Sequence, residues 1–186
     1  MFIINGKIYT MTGDVIEEGY VRTGQGKILQ VDDMESYEQV RTEEALLVSG
    51  NSLEKEEVLD VKGAWVLPGL IEAHAHIGIT EEKEGAMGDD CNETSDPVTP
   101  TLRAIDAINP MDPAFHDAIR AGITSVMVGP GSANAVGGQF AFMKTQGRCV
   151  DNMIVLAPAA MKAALGENPK NAYGVDGKSP VTRMAT

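Results

Sequence analysis

Two of the chain's three histidines, His74 and His76, are the residues best placed to do chemistry, in the stretch Leu67-Pro68-Gly69-Leu70-Ile71-Glu72-Ala73-His74-Ala75-His76-Ile77-Gly78. In an extended strand, residues two apart project from the same face, so this spacing aims both imidazoles at one point. Two neutral ring nitrogens converging in that way predict a clamp for a divalent metal ion. The pair follows an apolar run and precedes Gly78, which breaks the strand. The plainer alternative for the same residues is a pair of structural histidines at a strand end.

Other residue types offer less. His116 sits in Pro113-Ala114-Phe115-His116-Asp117-Ala118, at the start of an expected helix capped by Asp112, and reads as a solvent-side helix residue. The loop Gly129-Pro130-Gly131-Ser132-Ala133-Asn134 follows an apolar strand and so lies near the histidines; Ser132 and Asn134 are its candidates for hydrogen-bonding a substrate. As a phosphate cradle it fails, because no Gly-Lys-Ser/Thr follows and Pro130 removes an N–H donor. Its glycines also lack the rest of a dinucleotide-binding fingerprint. Cys91 and Cys149 are too isolated for a disulfide framework or a zinc knot, and no Gly-x-Ser-x-Gly elbow points to a serine nucleophile. The ten methionines are scattered, which favours core filling.

The elements that must hold these residues divide in character. Residues 1–60 carry 13 acidic and 5 basic side chains, while residues 61–186 carry 14 and 10. The first part reads as short strands, Phe2 to Thr10, Tyr20 to Thr23 and Lys27 to Val31, joined into small antiparallel hairpins by turn signals at Asn5-Gly6, Thr12-Gly13-Asp14 and Gly24-Gln25-Gly26. From Asp33 to Glu57 the acidic residues show little apolar period, which predicts mostly loop with one short helix or strand. The second part has apolar runs at Ala64 to Ile71, Ile123 to Val128 and Met153 to Leu156, read as strands of a parallel sheet covered on both faces. Helical spacing over Pro113 to Ala121, ended by Gly122, supplies the helix-to-strand step of a βαβ unit.

A net charge of −12 disfavours nucleic acid and anionic membranes as partners. No apolar stretch approaches the ~18 residues that span a bilayer. Met1-Phe2-Ile3-Ile4-Asn5-Gly6-Lys7 lacks the form of a signal peptide, so the expectation is a cytoplasmic protein in which the Asn92-Glu93-Thr94 sequon is idle.

The Pro68-Gly69 to His74-x-His76 stretch resembles the signature that opens the barrel of the amidohydrolase superfamily of metal-dependent hydrolases. One departure is Glu72, where aspartate is commoner. Asn92-Glu93 with Asp96-Pro97-Val98-Thr99-Pro100, Leu102 to Ala107, Ala121 to Val126, Gly129 to Asn134 with Gly137-Gly138-Gln139, and Gly166 to Lys170 resemble the imidazolonepropionase-like subgroup. The resemblance implies an α/β fold: a small β-sandwich, of which residues 1–63 are the N-terminal half, then a TIM-type (β/α)8 barrel, of which residues 64–186 are the N-terminal part. Such a barrel takes roughly 250 residues and at least about 200, so the chain is expected to be an N-terminal fragment, inactive alone.

The resemblance also implies the chemistry. His74 and His76 would bind a divalent metal, zinc first and iron or manganese as alternatives, and metal-activated water would hydrolyse a non-peptide C–N bond in a small amide, cyclic amides included. For the next ligand or catalytic group the first choice is Glu167, since related deacetylases place a glutamate after an early barrel strand. The second is Lys162, since some superfamily members carry a carboxylated lysine between two metals. A non-catalytic scaffold or binding member of the same fold is the alternative function, and self-association is left open.

Overall fold

The computed structural model describes residues 1–47 and 56–173, a mixed α/β chain whose contacts divide it after Pro68. In the first unit, β1 (Phe2–Tyr9), β2 (Val15–Gly24) and β3 (Lys27–Asp33) pair antiparallel in chain order. Gly24 pairs with Lys27, so the turn between β2 and β3 is Gln25-Gly26 alone, at φ 52° and 72°. Positive φ at both residues gives the two-residue turn whose twist matches the flanking strands. Asn5-Gly6 is not a turn. β1 runs straight through it as a bulge, with Asn5 at φ 57° and register shifts on either side of Gly6.

Asp33 to Glu57, expected to be mostly loop, contains the 14-residue helix α1 (Met34–Leu47). Asp33 caps it, its Oδ1 accepting from the Ser36 N–H at 2.8 Å. Tyr37 docks the helix through ring contacts with Phe2 and Tyr20, at centroid distances of 5.4 and 5.5 Å. Glu44 adds an ion pair to Arg22 of β2 at 2.6 Å and Arg41 lies over the Phe2 ring, so aromatic and charged contacts stand where an apolar stripe usually does and no helical period stands out in the sequence. β4 (Val58–Asp60) and β5 (Trp65–Val66) both pair parallel with β1. The sheet is therefore mixed rather than built of antiparallel hairpins only.

The apolar run Ala64 to Ile71 is not one buried strand. Pro68 has no N–H to give a ladder, and the chain changes sheet at Pro68-Gly69, with β5 before and β6 (Leu70–Ala75) after. The second sheet has the order β6-β7-β8-β9. β6 is an edge strand, and its Leu70 and Ile71 are exposed rather than covered on both faces. β7 (Ile123–Val128) is parallel to β6, reached through α2 (Pro113–Arg120), which is the expected βαβ step.

Beyond that step the order departs from a run of βα units. β8 (Val136–Lys144) is antiparallel to β7, and β9 (Ile154–Ala163) is antiparallel to β8. The link from Val128 to Val136 is shorter than the dozen or more residues a parallel crossover needs, so the chain turns straight back. Only α3, a single turn over Val150–Met153, separates β8 from β9, and α4 (Glu167–Tyr173) follows.

Phe115 of α2 packs with Val126 and Val128 of β7, Met143 of β8 and Met153, together with Ile79, Ala104 and Ile108 from the long β6–α2 connection. Burying each large side chain here contributes about 1.5–3 kcal/mol. Met143 and Met153 are fully buried and fill the core, whereas Met11, Met87 and Met111 are largely exposed, so the expected core-filling role holds for only some of the methionines. Asp112 joins helix to strand end. Its Oδ1 accepts from the Ala114 N–H at 3.0 Å, capping α2 beside Pro113, and its Oδ2 accepts from the Gly78 N–H at 3.2 Å. Gly78 sits at φ 75°, and a Cβ there would lie 2.8 Å from the Phe115 ring. The chain just behind His76 is thereby pinned to the start of α2.

Candidate metal centre

His74 lies on β6 and His76 one residue beyond its end, with their ring centroids 5.2 Å apart and the planes at 83°. His76 Nδ1 is 2.7 Å from the carbonyl oxygen of Gly129. A carbonyl only accepts, so Nδ1 carries the proton and the Nε2 lone pair is left for a metal, the arrangement that orients metal-binding imidazoles. The Glu72 carboxylate accepts from the His74 backbone N–H at 3.0 Å, which gives this longer acid a definite place beside the first histidine.

Lys162 approaches from β9. Its Nζ is 3.3 Å from His74 Nε2, and the residue is 7% exposed. Gly138 pairs with Lys162 across the two strands, and a Cβ on Gly137 would lie 3.2 Å from Lys162 Cγ, so the lysine stem runs close over this pair of glycines. Desolvation, the nearby Lys162 charge and His76 together hold the His74 imidazole below its ordinary pKa, against the opposing pull of Glu72. A neutral imidazole is the form that ligates.

Glu167 is elsewhere in character, exposed at the first position of α4. Among the described residues no group of three or more His, Cys, Asp or Glu has metal-holding geometry, so Glu167 is not gathered with His74 and His76. Ser132 is half-buried in the β7–β8 connection. Asn134 is 2% exposed, and its amide nitrogen donates to the carbonyls of Glu93 and Asp96, at 2.6 and 2.8 Å, and toward Thr99 Oγ1 at 3.2 Å. Those bonds use its donors inside the protein, where the sequence reading had offered them to a substrate. The Tyr173 hydroxyl donates to the same two carbonyls, and Asn92 Oδ1 accepts from the Ala133 N–H at 3.0 Å. Asn92, Asn134 and Tyr173 thus lace the β6–α2 connection to the β7–β8 connection and to α4. His116 is exposed on α2, as expected.

Sequence reasoning passed over Phe140. Its ring meets the His74 ring edge-to-face at 5.5 Å, and no spacing rule connects residues so far apart. A cavity of about 180 Å³ lies alongside, lined by Cys91, Glu93, Arg103, Asp106, Pro130 and Gly137. Two of these adjoin the centre, since Pro130 follows the carbonyl that orients His76 and Gly137 underlies Lys162.

No family model matches the chain. A crystal structure of an amidohydrolase from Thermotoga maritima MSB8 superposes with a TM-score of 0.84 at 38% identity, covering 99% of this chain and 44% of that one. Amidohydrolase tasK of Hapsidospora irregularis is 34% identical over 138 residues, 68% of this chain and 14% of tasK. A 5-methylthioadenosine/S-adenosylhomocysteine deaminase of Bacillus anthracis is 36% identical over 76 residues, 40% of this chain and 14% of the deaminase. The likenesses support the amidohydrolase superfamily as the class of this chain. The chain spans less than half the length of the Thermotoga protein and 14% of each of the two others. Among the described residues no helix is long and apolar enough to cross a membrane.

Proposed function

We propose that this chain is the metal-binding opening segment of a hydrolase acting on non-peptide C–N bonds in small amides, cyclic amides among them. The observation that carries the reading is the meeting of His74, His76 and Lys162 at the end of β6, residues 3.3 Å apart at the His74–Lys162 contact. The donor set fits a divalent cation. It offers two imidazoles, one with its tautomer fixed by the Gly129 carbonyl, and a buried primary amine. Zinc is the first expectation, with iron and manganese as alternatives.

A lysine ammonium would repel a cation, so Lys162 serves only after its ammonium gives up one proton to solvent and the free amine adds carbon dioxide with release of a second proton, which forms an N–C bond at Nζ and leaves an anionic carbamate. In this reading Lys162, rather than the exposed Glu167, is the additional ligand. A divalent metal, when bound, supplies Lewis acidity and water ionised near neutral pH. The residues of this chain orient it: the Gly129 carbonyl turns His76, the Glu72 carboxylate ties the His74 backbone, and the bonds of Asn134 brace the loop that carries Ser132, the remaining candidate for a substrate contact. The surrounding architecture in this reading is the β-sandwich and partial barrel, with the remaining ligands and the proton-transferring acid supplied by sequence beyond these residues. A small-molecule amide substrate and a cytoplasmic setting complete this reading, and the net charge of −12 disfavours nucleic acid or an anionic membrane as partner.

Metal analysis of the whole protein after expression in metal-replete medium tests the reading. One or two metal ions per chain, lost in H74A/H76A, is the expected result. A protein free of metal under those conditions would favour the scaffold alternative and end the proposal.

A further inference from the structure

Phe140 lies on β8 and is 6% exposed. Its ring touches three separate parts of the candidate centre. It meets the His74 ring edge-to-face, at 5.5 Å and 87°. The Lys162 Nζ stands 5.9 Å from its centroid, so the ring also borders the tip of the lysine. On the remaining side it rests against Gly129, so closely that a Cβ there would lie 2.3 Å from ring atoms. Gly129 is the residue whose carbonyl accepts from His76. A single rigid plane therefore abuts one histidine, faces the lysine and underlies the backbone group that sets the other histidine.

Imidazoles and amines on strand ends rotate freely unless something blocks their alternative rotamers. Backbone bonds fix where His74, His76 and Lys162 start, but not where their tips point. We infer that Phe140 is the positioning residue of this centre, holding the His74 ring and the Lys162 amine toward one point and keeping Gly129 where His76 needs it. The inference rests on the metal-binding reading above. It also accounts for Gly129: with any side chain there, the Phe140 ring would have to move.

Leucine at position 140 keeps the site apolar but removes the plane. The test is Co²⁺ binding to the whole protein, followed by its visible ligand-field spectrum and by competition for affinity, alongside thermal unfolding of the metal-free protein. F140L is expected to bind Co²⁺ about tenfold or more weakly, with an altered spectrum, the usual scale for losing a group that supports metal ligands. G129A is expected to do the same by displacing the ring. In the double variant G129A/F140L the two losses should not add, because both act through one ring. If F140L fails to fold, G129A carries the same comparison from the other side of the contact. Wild-type affinity and spectrum in a folded F140L, or strictly additive losses in the double variant, overturn the inference while leaving the metal reading intact. A wild-type protein that takes up no Co²⁺ overturns the metal reading, and this inference with it.

Discussion

The Nε2 atom of His74 and the Nζ atom of Lys162 stand 3.3 Å apart although 88 residues separate them in the chain. The contact depends on β8 lying between β7 and β9, which returns β9 so that its penultimate residue, Lys162, ends near the tip of β6. If Lys162 is a metal ligand as its carbamate, K162A should lose bound metal while its fold is retained, and a small carboxylic acid added to the solution should restore part of it. Metal stoichiometry with and without added acid reads this out. Full metal content in K162A would remove the lysine from the centre.

Asn134 and Ser132 separate two roles that one loop might combine. Asn134 is spent on the carbonyls of Glu93 and Asp96, so N134A should lower unfolding free energy by about 1–3 kcal/mol, because two part-buried hydrogen bonds are lost and the Tyr173 hydroxyl is left as the side-chain donor to both carbonyls. S132A, at a half-buried position, should change stability by less than about 0.5 kcal/mol. Urea denaturation of the two variants makes the comparison, and equal losses would contradict it.

Asp112 supports a related prediction. D112A removes both the cap of α2 and the acceptor for the Gly78 N–H, so a loss of about 1–2 kcal/mol or more is expected. D112N keeps one oxygen for the cap and should lose less. Chemical denaturation of both variants tests the order.

In the first unit, the Arg22 guanidinium hydrogen-bonded to Glu56 holds that carboxyl below its ordinary pKa of 4.5, with desolvation opposing. A carboxyl depressed in the folded state stabilises above its unfolded pKa, and that contribution is lost as pH falls through the folded value. Stability should therefore decline below about pH 4.5, and E56Q should flatten the decline. Melting temperature measured from pH 7 to pH 3 shows whether it does. An unchanged slope in E56Q would assign the acid sensitivity to other groups.

What the sequence disclosed was local. The capped helix at Asp112 and the Gly24-Gln25-Gly26 turn are each set by residues within a few positions, and each is present as read; the spacing of His74 and His76 brings their rings to 5.2 Å, with His76 just past the end of β6. α1 escaped because among its described side chains Tyr37, Arg41 and Glu44 reach the sheet, and a mix of aromatic and charged contacts leaves no apolar stripe to detect. Ala64 to Ile71 looked like one strand because hydropathy does not register a change of sheet, although Pro68-Gly69 marked it. For the ligand beyond the histidines, family resemblance favours Glu167, a glutamate after an early barrel strand, and this residue is exposed at the start of α4. Which side chain reaches His74 depends on strand order, and a short β7–β8 link fixed that order without leaving a motif.

The two oxygens of Asp112 bind one amide at the start of α2 and another just behind His76. Fraying of that first helical turn and release of the strand tip are thus a single opening event. In deuterated solvent the Ala114 and Gly78 amide protons should then be lost with one shared protection factor, rising and falling together as denaturant is varied.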